Sequence, residues 1–139
     1  MGYNPITTKP WGEYEVLSKG DDFKVKILRE TNGQRLSLQR HNLRDEYWTI
    51  LKGTAKITAP ESHLGNEEIR SNKIMWHRAS YDERCALIVY ELQPGQSTTF
   101  KRQEIHRVEA VNGDLEILEI QKGYCGEGDI ERLEDDYDR

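Results

Sequence analysis

One spacing constrains this chain more than any other feature. From Gly33 it runs Gly-x5-Gln39-x-His41-x4-Glu46-x6-Gly53. Gln39 and His41 are two residues apart, so on an extended strand they share a face. Glu46 follows beyond a turn. A short hairpin of this kind brings three metal-binding side chains to one point. A second segment, Gly95-x5-Lys101-x-Gln103-x2-His106, places another histidine on a strand-like run. Two imidazoles, a carboxylate and an amide oxygen suit one divalent ion. Zinc, manganese, iron, cobalt and nickel all match this donor set better than copper(I) does. The expected ligands are Gln39, His41, Glu46 and His106.

The rest of the chain reads as short strands between turn signals, which predicts an all-β sandwich or barrel. Glu13 to Leu17 is a candidate strand. Phe23, Val25 and Ile27 alternate with Lys24, Lys26 and Leu28 in the next, a half-buried strand. Asn32-Gly33 is a turn dipeptide, and Lys52-Gly53, Pro94-Gly95 and Asn112-Gly113 are read the same way. Strands are expected over Arg35 to His41, Tyr47 to Leu51, Thr54 to Ala59 and Ala86 to Leu92. Glu104 to Val111 and Leu115 to Gln121 are expected to form a hairpin around Asn112-Gly113. From Asp129 the chain is either a short helical turn or an extended tail. Ser37, Gln39 and His41 share one strand face, and Leu36 and Leu38 the other. An outward apolar face of that kind needs a cover, from another sheet or a second subunit.

A length of 139 residues fits a single domain over residues 1–139. A net charge of -5 argues against nucleic acid as the main partner. The two cysteines, Cys85 and Cys125, are expected to be reduced. The N-terminus lacks a signal pattern, and no apolar run has the length of a membrane span. These features place the chain in the cytoplasm with no membrane contact.

The two spaced segments resemble the paired motifs of the cupin superfamily. The first holds its spacing with Gln39 in place of a histidine. The second departs from the usual pattern at Lys101, Gln103 and Ala110. The Gln-x-His pair also resembles the metal-binding strand of type I mannose-6-phosphate isomerases. A closer resemblance rests on Lys9-Pro10-Trp11-Gly12-Glu13-Tyr14-Glu15-Val16-Leu17, Phe23-Lys24-Val25-Lys26, Leu36-Ser37-Leu38-Gln39, Arg44-x-Glu46-x-Trp48, Gly53-Thr54-Ala55, Glu119-x-Gln121 and the stretch Asp129 to Tyr137. These are similar to the cupin domain of type II mannose-6-phosphate isomerases. Leu43 and Tyr47 stand where that family often has further histidines. The span between Gly53 and His106 is longer than the resemblance leads one to expect, so an insertion is placed at about 60–84. It holds His63, Met75, Trp76 and His77, and is read as a surface excursion or as a lid docked by Met75 and Trp76.

The resemblance implies a cupin double-stranded β-helix, a jelly-roll barrel, forming a homodimer. It implies a metal-dependent aldose–ketose isomerase acting on a sugar phosphate. Such an enzyme must polarise a carbonyl, move a proton between neighbouring carbons and anchor a phosphate. Glu119, on one face with Leu115, Ile117 and Gln121, is either the base or an edge-strand surface carboxylate. Arg44, between His41 and Glu46, is the leading phosphate anchor, with Lys101 and Gln121 as further substrate contacts. Arg107 follows His106 directly and is turned to the opposite face. Trp11 and Trp48 are either core residues or sugar platforms. Two other readings stand beside this one. One is a non-catalytic module binding a sugar or nucleotide-sugar. The other is a metal-independent nucleotide-sugar epimerase or isomerase.

Overall fold

Strand periodicity resolves into antiparallel pairing throughout the computed structural model, which describes residues 4–65, 77–82, 85–126 and 128–139. The elements are β1 (Ile6–Lys9), β2 (Gly12–Lys19), β3 (Phe23–Glu30), β4 (Leu38–Arg40), β5 (Arg44–Pro60), a 3-10 turn (Glu61–Gly65), β6 (His77–Asp82), β7 (Cys85–Leu92), β8 (Ser97–Phe100), β9 (Arg107–Gly123) and β10 (Glu131–Glu134). The main sheet runs β1-β2-β3-β9-β5-β7-β6, with β8 on the first part of β5, and β10 pairs separately with β4. This is an all-β jelly roll. No helix of the described residues is long and apolar enough to cross a membrane.

Two strands of 17 residues make the barrel. The first half of β5 pairs with β8 and the second half of β9. Its second half pairs with β7 and the first half of β9. Each long strand therefore passes from one layer to the other at a corner. Gly53 sits at the β5 corner with φ 85°, and a Cβ there would lie 2.3 Å from the Asp114 carbonyl oxygen. Only glycine allows that approach. Asn112 and Gly113 take φ 61° and 126° at the facing corner of β9. The expected reversals at Lys52-Gly53 and Asn112-Gly113 are thus not turns. Both dipeptides bend continuous strands, and the hairpin expected around Asn112-Gly113 does not exist.

The core fills the barrel with Trp48, Ile50, Ile57, Ile88, Leu92 and Ile117, among others. Each such side chain contributes roughly 1.5–3 kcal/mol through burial. On β3 the face turned inward is Lys26, Leu28 and Glu30, while Phe23, Val25 and Ile27 stay half-buried outside. Its alternation is as expected, but the charged positions take the inner side. The stretch before β4 is irregular, so Leu36 joins the barrel core while Leu38 packs with Leu87, Ile105 and Leu133. The cover for Leu38 comes from the chain's own β7 and β10 rather than from a second subunit.

From Asp129 to Glu134 the chain is extended, and it ends in a turn at Asp136 and Tyr137. Strand β10 lies antiparallel to β4, and Arg35–Asp136 and Arg40–Glu131 ion pairs fasten it. Arg107 points away from the barrel interior, as expected, and donates to the Leu36 carbonyl and to Glu134. Within 60–84, the 3-10 turn buries His63 against Phe100, and β6 adds an edge strand to β7. Met75 and Trp76 lie outside the described residues.

Candidate metal centre

The cavity floor is built from neighbouring strands whose registers put polar side chains side by side. Glu46 on β5 faces Gln121 on β9, and Trp48 faces Glu119. Lys26 on β3 faces Glu119 from the other side. His106, just before β9, bridges to Gln39 on β4 through backbone hydrogen bonds in both directions. All of these are buried in the barrel interior. The cavity is lined by Gln39, His41, Arg44, Glu46, Glu119 and Gln121, with Trp11, Tyr14, Lys26, Ile130 and Arg132 around them.

His41, Glu46 and His106 offer ligand atoms that all lie within 4.8 Å of one another. His106 Nε2 is 3.0 Å from Glu46 Oε1, and His41 Nε2 is 3.5 Å from Glu46 Oε2. Both rings are held from behind. His41 Nδ1 donates to the Asp129 carbonyl at 2.6 Å, and His106 Nδ1 donates to the Glu104 carbonyl at 2.9 Å. A carbonyl can only accept, so each ring carries a proton on Nδ1. His41 turns its Nε2 lone pair inward, toward the Gln39 and Arg44 N–H groups, whereas His106 Nε2 donates to the Glu46 carboxylate, a position a metal would take over on binding. The Nδ1 bonds are the second-layer arrangement in which a histidine ligates a metal. Gln39 Oε1 accepts from Ser37 Oγ, and Gln39 Nε2 lies 3.1 Å from His41 Nε2. Turning this amide over exchanges its ends and aims the oxygen inward, with the Ser37 hydroxyl then accepting. The donor set therefore fits a divalent metal ion.

Electrostatics separates the two carboxylates. Burial alone would raise the Glu46 carboxyl, but the His106 hydrogen bond and the surrounding cationic groups, Arg44 among them, hold it far below the usual range. Arg44 is the firm part of that effect, because a guanidinium stays charged. Burial lowers His41, with the Glu46 charge partly offsetting it. Glu119 goes the other way. Burial and the Glu46 charge push it up to about 7, against the pull of Lys26 and Arg44. Its Oε2 accepts from Trp48 Nε1 at 2.9 Å and its Oε1 from Gln121 Nε2 at 2.7 Å. Gln121 Oε1 is buried and has no hydrogen-bond partner among the described residues.

Most of the residues singled out in the sequence meet here, and Glu119 is an interior group rather than an edge carboxylate. Lys101 does not meet them: it is exposed, with its ammonium over the outward Tyr47 ring at 5.9 Å. Arg44 is buried and engages Glu46 and His41 directly. Trp48 is a core residue, packed edge-on against Phe100 and His106, whereas Trp11 lines the cavity. Three contributors carried no readable signal as site residues. Lys26 lies 4.0 Å from the Tyr14 ring centre inside the barrel, yet in the sequence it looks like the solvent side of β3. Asp129 acts through its backbone carbonyl. Arg132 enters only because β10 folds over the opening.

Residues 4–95 match the family described as mannose-6-phosphate isomerase C-terminal. The chain is 37% identical over 134 residues to the alginate biosynthesis protein AlgA of Pseudomonas aeruginosa, covering 94% of this chain and 22% of that protein. It is 33% identical to the xanthan biosynthesis protein XanB of Xanthomonas campestris, over 94% of this chain and 23% of that protein. It is 30% identical to the mannose-1-phosphate guanylyltransferase RfbM of Salmonella typhimurium, over 91% and 21%. The chain thus spans about a fifth of the length of these relatives. Among solved structures, the capsular polysaccharide assembling protein CapF of Staphylococcus aureus superposes with a TM-score of 0.68 at 14% identity, over 95% of this chain and 34% of that one. Oxalate decarboxylase of Bacillus subtilis superposes at 0.69 and 15%, over 94% and 30%. Both neighbours share the cupin fold with this chain.

Proposed function

This chain belongs to the mannose-6-phosphate isomerase C-terminal family of cupins, and we propose that it is a metal-dependent isomerase of a sugar phosphate, interconverting an aldose and a ketose of the mannose-6-phosphate and fructose-6-phosphate kind. The observation that carries this reading is the pairing of two unlike groups in one cavity. His41, Glu46 and His106 converge as a ligand set, and Glu119 stands beside them with its carboxyl pushed up to about 7. A general acid–base group works best when its pKa lies near the working pH.

In this reading Gln39, His41, Glu46 and His106 hold the ion. When bound, it would supply Lewis-acid polarisation of the substrate carbonyl. The remaining work falls to the chain. Glu119 in its ionised form takes the proton from C2, and the electron pair of that C–H bond forms the C1–C2 double bond of an enediol. Glu119 then returns the proton to C1, while the hydroxyl proton of O2 ends on O1. No atom is gained or lost. Trp48 keeps Glu119 in place through its indole N–H. Gln121 steadies the other carboxylate oxygen and offers its Oε1 to a sugar hydroxyl. Arg44, Lys26 and Arg132 supply positive charge to the same cavity for the phosphate.

Metal analysis joined to an isomerase assay, with and without chelator, tests this. The expected result is turnover that chelation abolishes and divalent metal restores. Turnover that survives chelation would instead support the acid–base epimerase reading. Bound metal without turnover would support a sugar-binding module.

A further inference from the structure

We propose that Arg44 is a built-in competitor for the metal: its guanidinium occupies the donor atoms that a divalent cation would use, and the cation binds by displacing it. This inference rests on the metal-centre reading above. Arg44 Nη2 lies 3.0 Å from Glu46 Oε2 and 3.2 Å from His41 Nε2, and Arg44 Nε lies 3.1 Å from Glu46 Oε2. A guanidinium only donates, so at both contacts it takes up an acceptor lone pair. His41 has committed its Nδ1 proton to the Asp129 carbonyl, which leaves Nε2 with a single lone pair. That pair faces the N–H groups of Arg44 and of Gln39, whose Nε2 lies 3.1 Å away; turning the Gln39 amide over frees it from one, and Arg44 must leave before it can serve a metal. Glu46 is less restricted, because His106 engages its other oxygen. A guanidinium about 3 Å from these atoms would also repel a divalent ion bound to them.

The exchange needs no movement of the main chain. Arg44 and Glu46 are two apart on β5, so both side chains leave the same inner face. Arg44 also lines the cavity, so its long side chain has room to rotate away from the donor atoms while remaining inside. The result is a centre in which the Glu46 charge is met by a cation in either of two states. In one, the fixed cation of the chain neutralises Glu46; in the other, the metal does so and Arg44 is turned toward the bound ligand. The observed metal affinity is then the intrinsic affinity reduced by the fraction of molecules in which Arg44 has moved aside. Hydrogen bonds between charged groups set that reduction at roughly ten- to a hundredfold.

The test is a cobalt(II) titration of the parent protein and of Arg44→Met, followed by calorimetry and by the visible absorption of the bound ion. The expected result is that Arg44→Met binds cobalt roughly ten- to a hundredfold more tightly. Equal or weaker binding in the variant overturns the competition and leaves the metal centre standing. Binding to neither protein overturns the metal centre and the competition together. A crystal structure of the zinc-loaded parent decides the matter independently, even if the variant does not fold. Arg44 should have left both His41 Nε2 and Glu46 Oε2; a guanidinium still bonded to both overturns the proposal.

Discussion

Glu119 is a buried acid standing beside the ligand set. Its carboxyl, ordinarily near 4.5, is pushed up to about 7 by burial and by Glu46. The folded state therefore keeps a proton that the unfolded state has lost between those two values. Wherever the folded state binds more protons, stability falls as pH rises. Glu119→Gln removes its share of this dependence and leaves that of Glu30, whose carboxyl burial also raises. The new amide accepts from Trp48 and donates to Gln121, whose own amide turns over to present Oε1. We expect Glu119→Gln to raise the melting temperature above pH 7 and to lower the isomerase rate by roughly 10²–10⁴-fold. Thermal unfolding across pH, set beside kcat, checks both; an unchanged pH profile of stability would remove the buried acid from the account. The sequence allowed Glu119 to be named because it alternates with Ile117 and Gln121. It did not allow Lys26 to be named. Phe23, Val25 and Ile27 form the more apolar row of β3, and apolar rows normally mark the inner face. Here the inner face is lined by a polar site, so the usual inference inverts.

Strand β10 is the element that completes the site from outside the barrel. Its approach is set by Asp129, whose carboxylate accepts from the backbone N–H groups of Asn42 and Leu43 at 3.0 and 2.9 Å. Those bonds aim the Asp129 carbonyl at His41. Asp129→Ala should cost about 1–3 kcal/mol by removing two charge-assisted hydrogen bonds from part-buried backbone N–H groups. It should also weaken cobalt binding by roughly ten- to a hundredfold, as the loss of a partner behind a metal ligand does. Calorimetry and thermal melts on the variant measure the two effects, and unchanged cobalt affinity would show that His41 needs no support from this segment. The element scale is also where the sequence misled. Lys52-Gly53 and Asn112-Gly113 have the chemistry of reversals, and the structure does give Gly53, Asn112 and Gly113 positive φ. Whether a positive φ reverses a strand or merely bends it depends on the partner strand. Strands β5 and β9 bend at facing points, so each keeps the other paired through the corner. No local signal in either segment carries that information.

At the scale of the whole molecule, one outer sheet face is apolar where a barrel surface would normally be polar. Val25, Ile120 and Tyr47 stand in one row across β3, β9 and β5, and Ile120 and Tyr47 are 39% and 38% exposed. A second copy of the chain is the occupant expected from the homodimer implied by the family resemblance. Light scattering should give a dimer for the parent and a monomer for Ile120→Lys with unchanged metal content. A monomeric parent would leave this face without a subunit partner. Within the barrel, the bonds that make the centre join distant parts of the chain. His106 and Glu46 are 60 residues apart, Trp48 and Glu119 71, His41 and Asp129 88. Contacts of such long range form only after loop closure has been compensated by collapse elsewhere. Refolding should therefore bury Trp48 before the tail reaches His41, and cobalt added at time zero should colour the solution only after the tryptophan signal has settled. The ion would then act as a clock that starts when the chain has finished its topology, reporting completion where fluorescence reports only collapse.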